Sequence, residues 1–295
     1  APETASSTSG ETVIPPVQPK PVNFNQKLRK LSNEQVAGAG TSDSKDGTTV
    51  RYIEKATGHI FEVELFSPKQ NRISNTTIPS VYDAIWGNKN NSLIARYLKE
   101  NDQTVDTYSL SLKATTTVAS TSSPQVADTI FGTAFPTNIS DVSVFGNSLF
   151  YLTQNADSSS GFISNFEGSK KKQIWSSPVK ELLSQYVNLK TVALTTKPAQ
   201  NIPGFLYLVD TSTGQVRKIL GDISGLSTLT NSDATATLYL KEGSGADMFV
   251  FDQKSKTYTK TIPLTFPEKC LWSLKNKNII YCAVPKQFLD GNSLA

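Results

Sequence analysis

Two cysteines near the C-terminal end have the spacing that most directly predicts chemistry. Cys270 and Cys282 are the only cysteines, and they lie at equal distances from Asn276 in a segment with the texture of a β-hairpin. If Asn276 is the midpoint, the cysteines face each other, and Cβ atoms in such a non-hydrogen-bonded pair are about 4.5–5.5 Å apart. This register predicts a structural disulfide. Two reduced, buried thiols are the alternative, and a metal or redox site is disfavoured because no other cysteine or histidine is near in sequence.

The single histidine limits imidazole chemistry. His59 follows the turn at residues 56–58, so we expect it to be exposed at a hairpin tip. A Ser-His-Asp triad needs a buried and oriented imidazole, and a histidine-based zinc site needs several ligands. We therefore assign no catalytic residue, no metal site and no cofactor.

Acidic pairs deserve a test against glycoside hydrolysis, which uses two carboxyl groups. Glu62 and Glu64 share one face of a strand in which Phe61 and Val63 occupy the other face. This period-2 alternation predicts that the glutamates are on the solvent side. We interpret them as solvated charges.

Two further charged segments are best interpreted as turns. Asp43, Asp46 and Gly47 do not match the D-x-D-x-D spacing of a calcium loop. Lys170–Lys172 precede a strand and predict a charged hairpin tip, with contact to a membrane or polyanion as the less favoured alternative. No glycine-rich phosphate loop is present.

Composition favours an exported all-β protein. The 295 residues are 37% hydrophobic and 18% charged, and the net charge of +4 indicates no strong nucleic-acid footprint. No apolar run reaches the roughly 18–20 residues that span a bilayer. The only methionine is Met248, so residue 1 is not an initiator, and we expect that a signal peptide or membrane anchor was removed upstream.

The elements that must position these residues repeat along the chain. Six of the ten tyrosines precede an aliphatic or cysteine residue at the end of a short apolar strand. They are Tyr52, Tyr97, Tyr151, Tyr207, Tyr239 and Tyr281. Successive gaps of 45, 54, 56, 32 and 42 residues predict a β-propeller with one blade per repeat.

Longer segments repeat as well. Residues 51–65 align with residues 96–110 without a gap, each as a strand, a polar turn and a second strand. A pair of apolar strands joined by a turn rich in Gly, Asn, Asp or Lys precedes or contains each tyrosine. We place these pairs at residues 81–98, 141–152, 226–240 and 269–282, with a longer turn in the copy at 191–210.

Four segments depart from the repeat. Residues 1–27 are rich in Ser, Thr and Pro and predict an extended arm or stalk ahead of a propeller at residues 28–295. Residues 113–128 predict a surface loop and an outer strand, and residues 177–187 predict a short helix that Ser177 caps. The sixth repeat lacks outer strands, so we predict six or seven blades, the last incomplete in this chain.

Residues 51–98 and 269–285, with the runs RYIEKATGHIFEVEL, VYDAIWGNKNNSLIARYL and KCLWSLKNKNIIYCAVP, carry a resemblance. Over about residues 28–290 the chain resembles uncharacterised exported β-propellers of uncultivated small-genome bacteria. It is also similar to the wider WD40 and TolB-like propellers, although the Trp-Asp and Gly-His signatures of WD40 blades are absent. The resemblance implies seven blades and an N-terminal signal or anchor, and it implies no catalytic residues.

These features predict a non-enzymatic propeller, exported or at the cell surface or in the periplasm, that serves as a protein-interaction or self-assembly scaffold. The expected partner is a protein or another copy of this chain, bound through the N-terminal arm, because an incomplete blade can accept an added strand. We expect no nucleic-acid partner and membrane contact only through a removed upstream anchor. The alternative is a glycan-binding or glycan-cleaving surface propeller, and a third option is a periplasmic assembly factor.

Overall fold

A computed structural model describes residues 28–45, 47–67, 69–99, 104–113, 129–242, 246–262 and 265–285. The chain divides into two units, Ala1–Leu31 and Ser32–Ala295. Residues 28–31 are the described part of the first unit, and they form no strand. The predicted arm at residues 1–27 and most of the predicted loop at residues 113–128 lie outside the described residues.

The second unit contains five four-stranded antiparallel sheets and one two-stranded sheet, and strands pair in chain order within each. We number these sheets as blades one to six. Blade one has β1 (Val36–Ser44), β2 (Gly47–Glu54), β3 (Ile60–Glu64) and β4 (Gln70–Arg72), and blade two has β5 (Val81–Gly87), β6 (Ser92–Leu98), β7 (Val105–Lys113) and β8 (Thr129–Ala134). Blade three has β9 (Ile139–Phe145), β10 (Ser148–Gln154), β11 (Ser159–Asn165) and β12 (Lys172–Ser177), and blade four has β13 (Leu182–Asn188), β14 (Thr191–Thr196), β15 (Pro203–Asp210) and β16 (Val216–Ser224). Blade five has β17 (Ser227–Thr230), β18 (Ala236–Glu242), β19 (Ala246–Asp252) and β20 (Thr257–Lys260), and blade six has β21 (Cys270–Trp272) and β22 (Ile280–Cys282).

Burial explains why the second strand of a blade is apolar on both faces. In β6 and β10 almost every residue is buried, whereas β20 is exposed throughout. A strand that is covered on both sides does not show the alternating pattern of a half-exposed strand. The first strands of successive blades contact one another, β1 with β5, β5 with β9, β9 with β13 and β13 with β17. They are therefore the innermost strands, and the hydrophobic cores lie between adjacent sheets.

Polar side chains connect the inner strands of neighbouring blades. The indole of Trp86 donates to the carbonyl of Gly38 at 3.2 Å, and the indole of Trp272 donates to the carbonyl of Leu229 at 3.0 Å. Gln185 donates to the carbonyl of Thr230 and accepts from its N–H, at 2.7 and 2.8 Å. Each bond satisfies a backbone group at a sheet junction, where an unpaired group would be costly.

The predicted β-propeller fold is confirmed. The segments at 81–98, 141–152, 226–240 and 269–282 form the first and second strands of their blades, and residues 51–65 and 96–110 form second and third strands. The segment at 191–210 instead forms β14 and β15, the second and third strands of blade four. No helix in the described part of the chain is long and apolar enough to span a membrane.

The short helix predicted at residues 177–187 is wrong. Residues 182–188 form β13, the inner strand of blade four, which pairs with β14. Leu182, Tyr186 and Val187 are buried in two different junction cores. Leu182, Leu183 and Tyr186 have the spacing of one helix face, which led to the helix prediction. Burial against both neighbouring sheets favours the strand instead.

Three of the six tyrosines share one environment. Tyr52, Tyr151 and Tyr239 are buried on second strands and stack on the aromatic residue directly opposite on the third strand, with ring centroids 5.4–5.5 Å apart. Tyr97 is half-buried and lies opposite Asp106, Tyr207 lies on the third strand of blade four, and Tyr281 is 64% exposed. The expectation of six equivalent positions was therefore wrong for these three.

Candidate functional site

Blade six carries the cysteine pair that the sequence singled out. Cys270 lies opposite Cys282 in the register of β21 and β22, with Cα atoms 4.0 Å apart, and the two form a disulfide. Trp272 and Ile280 flank the pair and pack with it against the fifth blade. The sheet of two short strands thus contacts blade five through one apolar face, and the disulfide joins its two strands to each other.

The other face of this sheet is open. Leu271 and Tyr281 lie directly opposite each other and are 71% and 64% exposed. In the four-stranded sheets the corresponding second strands are largely buried. Two adjacent large apolar side chains thus form an exposed apolar patch on this sheet face. We refer to Leu271 and Tyr281 as the open face.

The edge of blade six is also available for pairing. The N–H of Ala283 bonds to the carbonyl of Lys269, and the N–H of Ser273 bonds to the carbonyl of Ile279. Because inward and outward backbone groups alternate along a strand, Ile280 and Cys282 direct theirs away from β21. Within the described residues, no strand pairs with this edge of β22. Such an edge is a template for an added strand.

A polar cluster lies on β5 and β6 of blade two and on β9 of blade three. Arg96 is only 9% exposed and lies opposite Asp83 across β5 and β6. Its guanidinium carbon is 5.6 Å from the centre of the Tyr82 ring, and it donates to the carbonyl of Ser140 at 3.4 Å. Its Nε is buried and has no hydrogen-bond partner in the described part of the chain.

Asp141 connects this cluster to blade four. Its carboxylate accepts the N–H and the hydroxyl of Ser184 at 2.5 and 2.7 Å. Burial raises the pKa of Asp141 above its ordinary value of 3.8, and the Ser184 bonds and Arg96 oppose this shift only partly. Burial likewise raises the pKa of Asp83. Asp141 of blade three thus bonds to Ser184 of blade four and lies near the charge of Arg96 in blade two.

We predict a specific pH response from Asp141. The pKa of Asp141 is higher in the folded than in the unfolded chain, so at neutral pH the buried, ionised carboxylate lowers the free energy of unfolding. As the pH falls through the raised pKa towards 3.8, the folded chain takes up this proton first, and the free energy of unfolding rises. Asp141→Asn is expected to remove this contribution. Asp141→Ala is expected to cost about 1–3 kcal/mol at pH 7, because Ser184 loses its acceptor. Urea denaturation of the wild type and both variants from pH 7 down to 3.8 measures this, and a pH profile of Asp141→Asn that matches that of the wild type would contradict it.

A cavity of about 870 Å³ opens beside the stacked pair Tyr97 and Tyr108. The loop before β5 and the end of β6 complete its lining, which is mainly apolar. Lys99 lies at its rim, 3.1 Å from Asp106. Burial and the hydrogen bond with Tyr108 raise the pKa of Tyr97 to about 12, so its hydroxyl is neutral at physiological pH. The other residues lining the cavity are Thr77, Ile78, Pro79, Ser80, Ala95, Leu98 and Leu110.

The remaining sequence candidates are not brought together into a site. His59 is half-buried rather than exposed at a tip, and its Nε2 lies 2.9 Å from Arg72 and 3.2 Å from Thr77. Glu62 is bound to Arg51 at 2.8 Å. Among the described residues, no three His, Cys, Asp or Glu side chains form a metal-binding group.

The turn segments have local partners. Asp43 accepts from the hydroxyl of Thr48 at 2.7 Å, and Asp46 lies outside the described residues. Lys171 lies over the ring of Phe162 at 4.2 Å, so one lysine of the predicted hairpin tip is held by a cation–π contact.

Sequence reasoning did not find the inner charge cluster. A usable signal was present, because Asp83 and Asp141 each occupy the third position of the first strand of a blade, and a Gly-Asn pair lies at the turn that follows. The open face was also missed, since Leu271 and Tyr281 look like core residues in the sequence until their exposure in the fold is known.

The fold is shared with solved structures of low identity. The chain is similar to an oligogalacturonate lyase in complex with manganese, with 11% identity, 75% of this chain and 63% of that chain covered, and a TM-score of 0.50. It is similar to a TolB-assigned protein from Agrobacterium tumefaciens (10% identity, 78% and 81% covered, TM-score 0.50) and to TolB from Acinetobacter baumannii (9%, 78% and 69%, 0.48). No protein-family model matches the chain, and no curated protein matches it. At these identities the likeness shows the β-propeller fold alone.

Proposed function

We propose that this β-propeller is a non-enzymatic scaffold that assembles with further copies of itself through blade six. The N-terminal arm of one copy pairs with the β22 edge of the next copy and covers the open face. The observation that carries this is the coincidence of an unpaired strand edge with Leu271 and Tyr281, 71% and 64% exposed. Burial of each side chain contributes about 1.5–3 kcal/mol to association.

The arm has the spacing that an added edge strand requires. Pro19 and Pro21 are two residues apart, so in an extended chain their missing N–H groups fall on the same side. Gln18, Lys20 and Val22 then direct their N–H groups to the other side, where they can pair with β22. An arm of this kind is suited to the edge of a sheet and unsuited to its centre.

The disulfide prepares blade six for binding. A two-stranded sheet is marginally stable alone, and the Cys270–Cys282 bond holds its register and its outward backbone groups in place. Preorganisation lowers the entropic cost of binding. Because disulfides persist in oxidising compartments, the same bond supports an extracellular, cell-surface or periplasmic location.

The experiment is the native mass of the full chain by light scattering and native mass spectrometry. We expect a particle of several copies that becomes monomeric in Leu271→Asp, in Tyr281→Asp and after deletion of residues 1–24. Leu189→Asp is the matched control, because Leu189 is 65% exposed in the β13–β14 turn. A wild-type chain that stays monomeric at every concentration up to about 100 µM would contradict self-assembly. So would a Leu189→Asp control that becomes monomeric as readily as Leu271→Asp and Tyr281→Asp do.

Glycan binding or cleavage is the second candidate, supported by the two carboxyl groups of Asp83 and Asp141 beside Tyr82. Both groups have a raised pKa, as a carboxylic acid that donates a proton requires. An oligosaccharide array with the wild-type chain and an Asp83→Asn/Asp141→Asn variant tests this candidate. If no glycan binds the wild-type chain more strongly than it binds the double variant, glycan binding at these carboxyl groups is ruled out.

A further inference from the structure

The turns between the first and second strands of the blades lie at one end of the propeller. Neighbouring first strands run in the same direction, because the residue pairs that meet between them advance together along both strands. The pairs are Gly38 with Ala84 and Gly40 with Trp86, Asp141 with Ser184 and Phe145 with Tyr186, and Gln185 with Thr230 and Asn188 with Ser232. Two turns are also joined directly, since the N–H of Asn88 in blade two bonds to the carbonyl of Gly146 in blade three at 2.7 Å.

This end of the propeller is rich in lysine. Asp233 is the only acidic residue of these turns within the described part of the chain, against five lysines. The lysines are Lys45, Lys89, Lys190, Lys275 and Lys277. The turns between third and fourth strands lie at the same edge of each antiparallel sheet, and their described residues add five lysines and Glu167. The described turns of the opposite end contain five lysines and three acidic residues. Positive charge is therefore concentrated at one end.

Two exposed leucines lie among these lysines. Leu189 precedes Lys190 and is 65% exposed, and Leu274 precedes Lys275 and is 92% exposed. Lys89, Lys190 and Lys275 are exposed as well, and none of them forms an ion pair with another described residue. Exposed apolar side chains next to unpaired lysines are the composition with which proteins bind the surface of an anionic bilayer.

We propose that this end of the propeller docks on a membrane that contains anionic phospholipids. The lysines contact the headgroups, and Leu189 and Leu274 enter the boundary between headgroups and acyl chains. A membrane is favoured over a nucleic acid because the six turns between first and second strands contain no arginine and no aromatic residue on which a base could stack. Docking of this kind adds a direct contact to the upstream anchor predicted from the sequence. It does not use Leu271 or Tyr281, so vesicle binding and native mass test separate proposals.

Co-sedimentation of the full chain with lipid vesicles tests the docking. We expect saturable binding to phosphatidylcholine vesicles that contain about 30% phosphatidylserine, and binding at least tenfold weaker to pure phosphatidylcholine. Raising the salt concentration from about 0.1 M to about 0.5 M is expected to weaken binding, because salt screens exposed charges. A fluorescent single-stranded oligonucleotide is the competing probe. If the chain binds the oligonucleotide more tightly than the anionic vesicles, the lipid assignment is overturned.

A pair of lysine variants locates the docking surface. Lys190→Gln/Lys275→Gln is expected to weaken vesicle binding at least tenfold, since each lysine close to an anionic surface contributes about fivefold. Lys55→Gln/Lys269→Gln is the matched control, because both of these lysines are exposed in turns at the opposite end. We expect the control to bind within about twofold of the wild type. Equal binding by the two double variants would overturn the proposal, as would a wild-type chain that does not bind anionic vesicles.

A leucine variant separates docking on lipid from attraction to any negative surface. Leu189→Ser/Leu274→Ser leaves the charge unchanged and removes the two apolar side chains, which are exposed and therefore dispensable for folding. We expect it to bind the phosphatidylserine vesicles at least tenfold more weakly than the wild type. Binding equal to that of the wild type would show that no side chain inserts, and the proposed docking would be wrong.

Discussion

Gly38→Ala is expected to destabilise the protein by about 3 kcal/mol, at the upper end of what overpacking costs. A Cβ atom at Gly38 would lie 1.8 Å from the carbonyl oxygen of Ala84, on the inner strand of the neighbouring blade. The new Cβ would be fixed to the backbone at Gly38, and the atom it meets is the backbone oxygen of Ala84, so the clash cannot be relieved by rotating a side chain. The inner strands approach closely here, and the Gly38 carbonyl also accepts the Trp86 indole bond.

Gly132→Ala is the matched control for this prediction. It makes the same chemical change on the outer strand β8, where the nearest atom to a new Cβ would be Leu110 Cδ2 at 3.5 Å, an ordinary contact distance. We expect its free energy of unfolding to stay within about 0.5 kcal/mol of wild type. Urea denaturation followed by circular dichroism measures both variants, and equal stability of the two would show that β1 and β5 are not packed as described.

Removal of the disulfide is expected to unfold blade six selectively. The bond closes a loop between residues separated by 12 positions, and the chain-entropy model assigns such a loop about 3 kcal/mol. Blade six has two strands of three residues each, so the hydrophobic contacts of Cys270, Trp272 and Ile280 with blade five have little else to support them. The remaining five sheets retain their own junction cores, and the loss is therefore local.

Hydrogen exchange with and without a reducing agent measures this loss. We expect amide protection in β21 and β22 to fall at least a hundredfold on reduction, while β6 and β10 stay protected. Cys270→Ala/Cys282→Ala should show the reduced pattern in the absence of reductant, and added reductant should change it no further. Protection in β21 and β22 that survives reduction would mean that packing on blade five is sufficient.

Much of the architecture could be predicted from local pattern. Hairpins such as β9–β10 have short turns between apolar strands, so their pairing is decided by neighbours in sequence. The opposition of Cys270 and Cys282 follows in the same way from the hairpin midpoint. In blade four, prediction from the local pattern was less reliable, because the turn before β15 is long. Tyr207 also has the sequence context of a second-strand tyrosine although it lies on the third strand.

What the sequence by itself determined about this protein is its repeat of short strands, and hence the β-propeller fold. Only the tertiary structure decided that residues 182–188 are a strand, that Arg96 lies among Asp83 and Asp141, and that Leu271 and Tyr281 are uncovered. The physical reason is distance along the chain. Strand pairing within a hairpin is local, whereas contacts between sheets join residues such as Thr195 and Thr228, 33 positions apart, or Gly38 and Trp86, 48 positions apart. Such contacts leave no periodic signal in one strand, since the same apolar side chain suits a core when a neighbouring sheet is present and a binding surface when it is absent.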